Sequence, residues 1–348
     1  MSASKMTSRE RALAAYSFMP VDVPCFDLME GAVWPELAAD FDARYGLKGV
    51  DSIEAALGSD FKWAIFGSMD GAFPLSPGYE RSGTFSDTVL RPLGGVKTPA
   101  DVREMFRPDA SRLSLPDFKS LREKYPDRAL ICCPGWMPVF SGICDDFGME
   151  AAMVFLHEKP EIVREYVKIK GEHALAVMRR CIKEGAKDHC DFFWLGDDFA
   201  GEASLLVAPE MWREFFLEPL RLQVQEARDA GLFVMFHSCG DVAAVYEDFI
   251  RIGINSHCGV QTSCPDMSPE RLAETIGGRL VIHGGVDAQD TLVAGDRDEV
   301  IFQTKRNIRA FNECGGYVVS NSHHGMADIG ADKIVAMSEA AGRWRAGA

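Results

Sequence analysis

The segment Phe236-His237-Ser238-Cys239-Gly240-Asp241 sets an imidazole and a thiol two residues apart, directly after the apolar run Leu232–Phe236. At the end of a strand, side chains two residues apart leave the same face of the backbone. Imidazole nitrogen and thiolate sulfur are donors that zinc prefers. On the residues alone, a buried histidine and a core cysteine account for such a pair more often than a metal does. Ser322-His323-His324-Gly325-Met326 follows the strand-like run Tyr317–Ser320 in the same way. Either histidine can complete a site begun by His237 and Cys239, and a solvated, inert pair is the equal alternative.

A third loop, Asp197-Asp198, follows Phe192–Leu195, with Glu202 a weaker candidate on the same rim. Carboxylates at a strand end act as general acid or base, orient a ligand histidine, bind metal, or cap a helix. Asp287, after Leu280–His283, lines a site or caps a helix, and capping is the simpler reading. Trp136 and Phe140, beyond Ala129–Cys133, wall a substrate pocket or belong to the core. Gly284-Gly285 lacks a dinucleotide fingerprint, and Gly240 opens no phosphate loop.

These loops need strands to position them. Val23–Met29, Ala129–Cys133, Phe192–Leu195, Phe233–His237, Leu280–His283 and Tyr317–Ser320 read as strands, several as continuous apolar runs suited to burial on both faces. Helical stretches lie between them. Residues 161–184 follow Pro160 and end at Gly185, with Gly171 interrupting the pattern; a second stretch opens at Pro209, is disturbed at Pro219 and ends near Gly231. The alternation implies a parallel sheet, closed or open. Residues 1–110, richer in Gly, Pro and aromatics, read as a lid-like N-terminal extension plus the first barrel elements, within one domain spanning 1–348.

Composition narrows the function classes. The net charge of −15, with Lys plus Arg at 37 against Asp plus Glu at 52 and no basic run, argues against nucleic-acid binding. No apolar stretch is long enough for a membrane span and no signal-peptide core is present, so the expectation is a cytoplasmic protein with its ten cysteines reduced.

FHSCGDV, then GGRLVIHGGVDAQDTL, then GGYVVSNSHHGMADIG resembles the C-terminal half of the uroporphyrinogen decarboxylase-like superfamily. WLGDDFAGEASLLVAPEMWREFFLEPL resembles the preceding segment of its methyltransferase-like branches, and MTSRERALAAYSFMPVDVP its start. The likeness is strong over about 190–340 and patchy before. It implies a (β/α)8 TIM barrel with the site at the C-terminal mouth. The corrinoid-linked methyltransferases of that superfamily bind zinc through a His-x-Cys pair and a later Cys. His237 and Cys239 match the pair, and His323 stands where the later Cys would be. True uroporphyrinogen decarboxylases carry paired arginines near their N-terminus for a polyanionic tetrapyrrole. Here that neighbourhood reads Phe26-Asp27-Leu28-Met29-Glu30-Gly31, and two carboxylates repel such a substrate.

The resemblance thus implies a zinc-dependent methyltransferase, with His237, Cys239 and His323 on the metal. Asp197 and His323 would be catalytic, and Asp198, Trp136, Asp287 and His324 would bind substrate. A methyl ether or thiol would exchange its methyl group with a corrinoid (cobalamin) on a partner protein; a homodimer is the family's expectation. Two alternatives stand beside it: a metal-independent decarboxylase or lyase using Asp197 with His323, and a non-catalytic metabolite- or corrinoid-binding barrel.

Overall fold

Eight short strands alternate with helices: β1 (Cys25–Phe26), β2 (Phe61–Ile65), β3 (Ala129–Cys133), β4 (Phe192–Gly196), β5 (Phe233–His237), β6 (Ser256–Val260), β7 (Val281–Val286) and β8 (Tyr317–Asn321). The computed structural model describes residues 6–31, 33–67 and 93–345; residues 68–92, part of the stretch read as an extension, lie outside them. Every ladder is parallel, and the order β1-β8-β7-β6-β5-β4-β3-β2 leaves one seam, between β1 and β2. Asp60 bridges it: its N–H donates to Phe26 O at 2.8 Å, and its carboxylate accepts the Phe26 N–H at 3.0 Å. The sheet is therefore parallel, as the strand–helix alternation implied, and forms a nearly closed α/β barrel, as the family resemblance implied.

Alternation along each strand sorts side chains between two layers. Phe192 and Trp194 on β4, and Met235 on β5, enter the barrel interior with Phe61, Ile131, Cys258 and Val318. Phe193, Leu195, Val234 and Phe236 face outward, where the surrounding helices bury them. The N-terminal helix Ser8–Tyr16 starts with a Thr7 capping box and inserts Tyr16 into the barrel's lower end, ring against Phe61, Phe192 and Phe233. There the Tyr16 hydroxyl meets Ser256 Oγ at 2.8 Å and His283 Nδ1 at 3.1 Å. His283 Nε2 in turn meets Asp27 Oδ2 at 3.0 Å. This buried polar chain fills the bottom of the barrel and fixes the end of β1.

Six strands fall where the apolar runs placed them, β3 and β5 with the same bounds and the other four with shifted ends; β2 and β6 were not anticipated. The stretch expected over 161–184 is an α-helix over Pro160–Cys181 that loosens into a π-turn at Ile182–Ala186, where Gly185 adopts φ 114°. The stretch opening at Pro209 splits into helices Pro209–Phe215 and Leu217–Asp229. Among the described residues no helix is long and apolar enough to cross a membrane.

Candidate metal centre at the barrel mouth

His237 is the last inward-facing residue of β5, one strand step above Met235, and only 4% of it is exposed. Room for its ring is made by Gly259, at an irregularity of β6 with φ +80°; a Cβ there would lie 2.7 Å from His237 Nδ1. His237 Nε2 stands 3.5 Å from Cys239 Sγ and 3.6 Å from Asp198 Oδ1. The three candidate ligand atoms all lie within 4.8 Å of one another. Asp198 Oδ1 also accepts the Cys239 N–H at 2.7 Å, which ties the β4 and β5 loops together.

Nitrogen, sulfur and oxygen donors so arranged fit a divalent cation of zinc's chemistry. Burial pushes the Cys239 thiol well above its usual pKa, and the negative charges of Asp198 and Glu30 push it the same way. A cation among these donors reverses that balance and favours the thiolate.

Glu30 was read in the sequence only as a repellent charge, yet it sits beneath the histidines. It is 4% exposed and holds φ 59°, an uncommon conformation for a residue with a side chain. Its oxygens stand 3.5 Å from His237 Nδ1 and 3.5 Å from His324 Nδ1. Burial raises its pKa, but the His324 hydrogen bond and the fields of His237, His324 and His323 outweigh burial and hold it below the usual carboxylate range. A carboxylate behind a ligand histidine orients the ring and raises its basicity. The only sequence hint was the following Gly31, whose Cβ position packs 3.1 Å from Trp63.

His323 lies at the same mouth, ring centroid 6.4 Å from His237 and 4.0 Å from His324, but outside the cluster of three. Burial first, then the neighbouring His324 and His237, lowers its pKa to about 4, so it is neutral at pH 7. Its Nδ1 is buried without a hydrogen-bond partner among the described residues. His324 is more open and stacks on Trp34, centroids 6.0 Å apart and planes 8° apart. Cys258 is sealed inside the barrel and Cys264 packs in the outer core; neither joins the cluster.

Trp136, read as either pocket wall or core, is buried with its ring 5.9 Å from His237 and 5.9 Å from Trp194. It can lie over the end of β4 because residue 196 is glycine; a Cβ there would meet its ring at 2.5 Å. Asp197 is committed elsewhere. Its carboxylate accepts the N–H groups of Val139 (3.0 Å), Phe140 (2.7 Å) and Ser141 (2.9 Å), capping helix Phe140–Phe147. Burial raises its pKa to about 6 against the pull of those donors. Asp287 caps as well, accepting the N–H groups of Asp290 (2.6 Å) and Thr291 (3.1 Å) and the Ser263 hydroxyl (3.0 Å).

Barrel, mouth and donor cluster together define an α/β-barrel protein with a candidate metal centre at the C-terminal ends of its strands, where such barrels carry their chemistry. The family model of uroporphyrinogen decarboxylase (URO-D) matches residues 139–344, and the chain belongs to that family. Among solved structures it is similar to a methyltransferase from Methanosarcina mazei, with 19% identity and a TM-score of 0.65 over 97% of this chain and 99% of that one. At that identity the likeness establishes the fold. No curated protein matches the sequence.

Proposed function

We propose that the protein is a zinc-dependent methyltransferase that moves a methyl group between a small substrate, a methyl ether or a thiol, and the cobalt of a corrinoid on a partner protein. The convergence of His237, Cys239 and Asp198 at the mouth carries this reading, and the fold shared with a methyltransferase supports it. His237 Nε2 and Cys239 Sγ would hold the zinc, with His323 or Asp198 as third ligand. Bound there, zinc supplies Lewis acidity, which polarises an ether oxygen or favours the thiolate of a thiol, while the corrinoid supplies the methyl carrier.

The chain's own residues set the conditions for that chemistry. Glu30 orients His237 through its Nδ1 side. Trp136 and Trp194, packed on the His237 ring, exclude water from its inner face. Asp197 anchors the loop that carries Trp136. His323, neutral at pH 7, would take up or return the substrate's proton at Nδ1, the atom left without a partner. The metal-independent lyase reading asks Asp197 to move protons, and its carboxylate is already engaged by three backbone donors.

Elemental analysis of the wild type beside Cys239→Ala, Asp198→Ala and His323→Ala tests the assignment. About one zinc per wild-type chain, lost in Cys239→Ala, is expected for such a site. Whichever of Asp198→Ala and His323→Ala loses more metal names the third ligand. A well-folded wild type purified from zinc-replete medium without metal refutes the mechanism.

A further inference from the structure

We propose that His257 is the positioning residue of the metal centre: it holds the peptide that joins His237 to Cys239, so that the imidazole and the thiol face one another before an ion arrives. This role rests on the metal reading of that pair and names what makes the loop ready for its ion.

A His-x-Cys pair chelates only when the backbone between its members is turned the right way. A peptide unit is planar, so fixing its C=O and its N–H fixes its direction. The unit between Ser238 and Cys239 is held at both. Ser238 O accepts from His257 Nε2 at 2.9 Å, and the Cys239 N–H donates to Asp198 Oδ1 at 2.7 Å. These partners come from opposite sides, from β6 and from the loop after β4, the two neighbours of β5. Further along, the Gly240 N–H donates to Gln261 Oε1 and the Asp241 N–H to Gly201 O at 2.8 Å. Cys239 is thus set between tethered peptides, with Sγ 3.5 Å from His237 Nε2.

His257 is suited to this one task. It is fully buried, in register with Phe236 of β5, and its ring packs edge-on against Tyr246 and Phe249. A carbonyl oxygen only accepts, so Nε2 carries the proton and Nδ1 accepts from the Tyr246 hydroxyl at 2.9 Å. Both nitrogens are spent inside the protein, so the ring acts on the site only through the Ser238 carbonyl. Ser238 is itself fully buried, and a buried carbonyl left without a donor is costly. Loss of His257 therefore favours turning the peptide, which swings Sγ away from His237.

Zinc affinity, read by competition with a chromophoric chelator, and the thiolate-to-metal charge-transfer band of the protein loaded with cobalt(II) in place of zinc test this role. His257→Leu fills the space but offers no donor; zinc affinity is expected to fall about 10- to 100-fold, with a weaker band at saturating cobalt(II). His257→Gln places an amide N–H where Nε2 stands and should stay within about threefold of the wild type. Wild-type affinity in a folded His257→Leu protein overturns the inference. An equal loss in His257→Gln overturns it too, since the ring would then act by packing alone. Should His257→Leu not fold, Tyr246→Phe removes the donor that fixes the tautomer and should lower zinc affinity about three- to tenfold; unchanged affinity there is equally fatal. Each of these outcomes leaves the wild-type zinc site, and so the metal reading, intact, whereas a wild type that takes up neither zinc nor cobalt(II) sinks both.

Discussion

Gly259→Ala tests whether the barrel wall sets the position of the candidate metal ligand. The added methyl would stand 2.7 Å from His237 Nδ1 and 2.8 Å from its Cε1. Ordinary carbon contacts begin near 3.5 Å, so the imidazole must retreat by about 0.8 Å. The backbone at φ +80° adds about 1–2 kcal/mol of left-handed strain, and overpacking adds about 1–3 kcal/mol. The expected destabilisation is therefore about 2–5 kcal/mol by urea denaturation. Metal sites tolerate donor displacements of only about 0.2 Å, so zinc affinity should fall about 10- to 100-fold, read by competition with a chromophoric chelator. Gly253→Ala is the control. It has φ +94°, and its added methyl meets only the flexible Arg228 side chain, at 2.9 Å. It should lose about 1–2 kcal/mol from backbone strain alone, with no change in zinc affinity. If Gly259→Ala binds zinc as the wild type does while Gly253→Ala shows the expected loss of stability, His237 is not a ligand held by this wall.

Two further outcomes follow from groups around the site. Asp197→Ala leaves the Val139 and Phe140 N–H groups without their acceptor; after the relief of removing a buried charge, about 2 kcal/mol of stability should be lost, with a shift in tryptophan emission as the Trp136 loop loosens. Unchanged urea stability with abolished turnover would return Asp197 to a proton-transfer role. Burial, reinforced by the charge of His237, lowers the His257 pKa to about 3 despite its bond to Ser238 O. The unfolded chain, with a histidine near 6.5, then binds the extra proton as pH falls, so stability is lost from about pH 6.5 down towards 3, by about 2 kcal/mol at pH 5. His257→Gln should flatten that slope in denaturation midpoints measured from pH 7 to 5; parallel profiles for the two proteins would exclude the assignment.

The barrel was legible where strands are buried on both faces and therefore apolar throughout, as in Ala129–Cys133 and Phe233–His237. β2 escaped because Lys62 interrupts its run; the amine leaves the wall to pair with Asp51 and Glu54, at 2.6 and 3.0 Å. β6 escaped because Ser256-His257-Cys258-Gly259 contains no large aliphatic residue. Its polar groups are satisfied by distant partners: Tyr16 for Ser256, and Tyr246 with Ser238 O for His257. Such satisfaction has no signature in a local window. Glu30 escaped for a related reason. Its place under the histidines depends on a positive φ and on β1 lying beside β8, and neither is written in the residues around it.

The competition between Asp198 and His323 shows what strand order adds to a motif. Sequence reasoning set Asp198, His237, Cys239 and His323 at strand ends and so put them all at one mouth. It could not rank their separations. β4 is the direct neighbour of β5, with Gly196 in register with His237, so a residue two beyond Gly196 arrives beside the imidazole whatever its type. β8 is separated from β5 by β6 and β7, so His323 must reach across the opening to share an ion with His237. In the structure it stops outside the cluster, next to His324 and with Nδ1 unpartnered. A ligand from the adjacent strand needs no movement to bind metal, whereas one from across the mouth engages only when something draws it in. The geometry thus favours Asp198 as the resting third donor and leaves His323 available to an incoming substrate. The Asp198→Ala and His323→Ala metal contents distinguish this arrangement from one in which His323 holds the ion throughout.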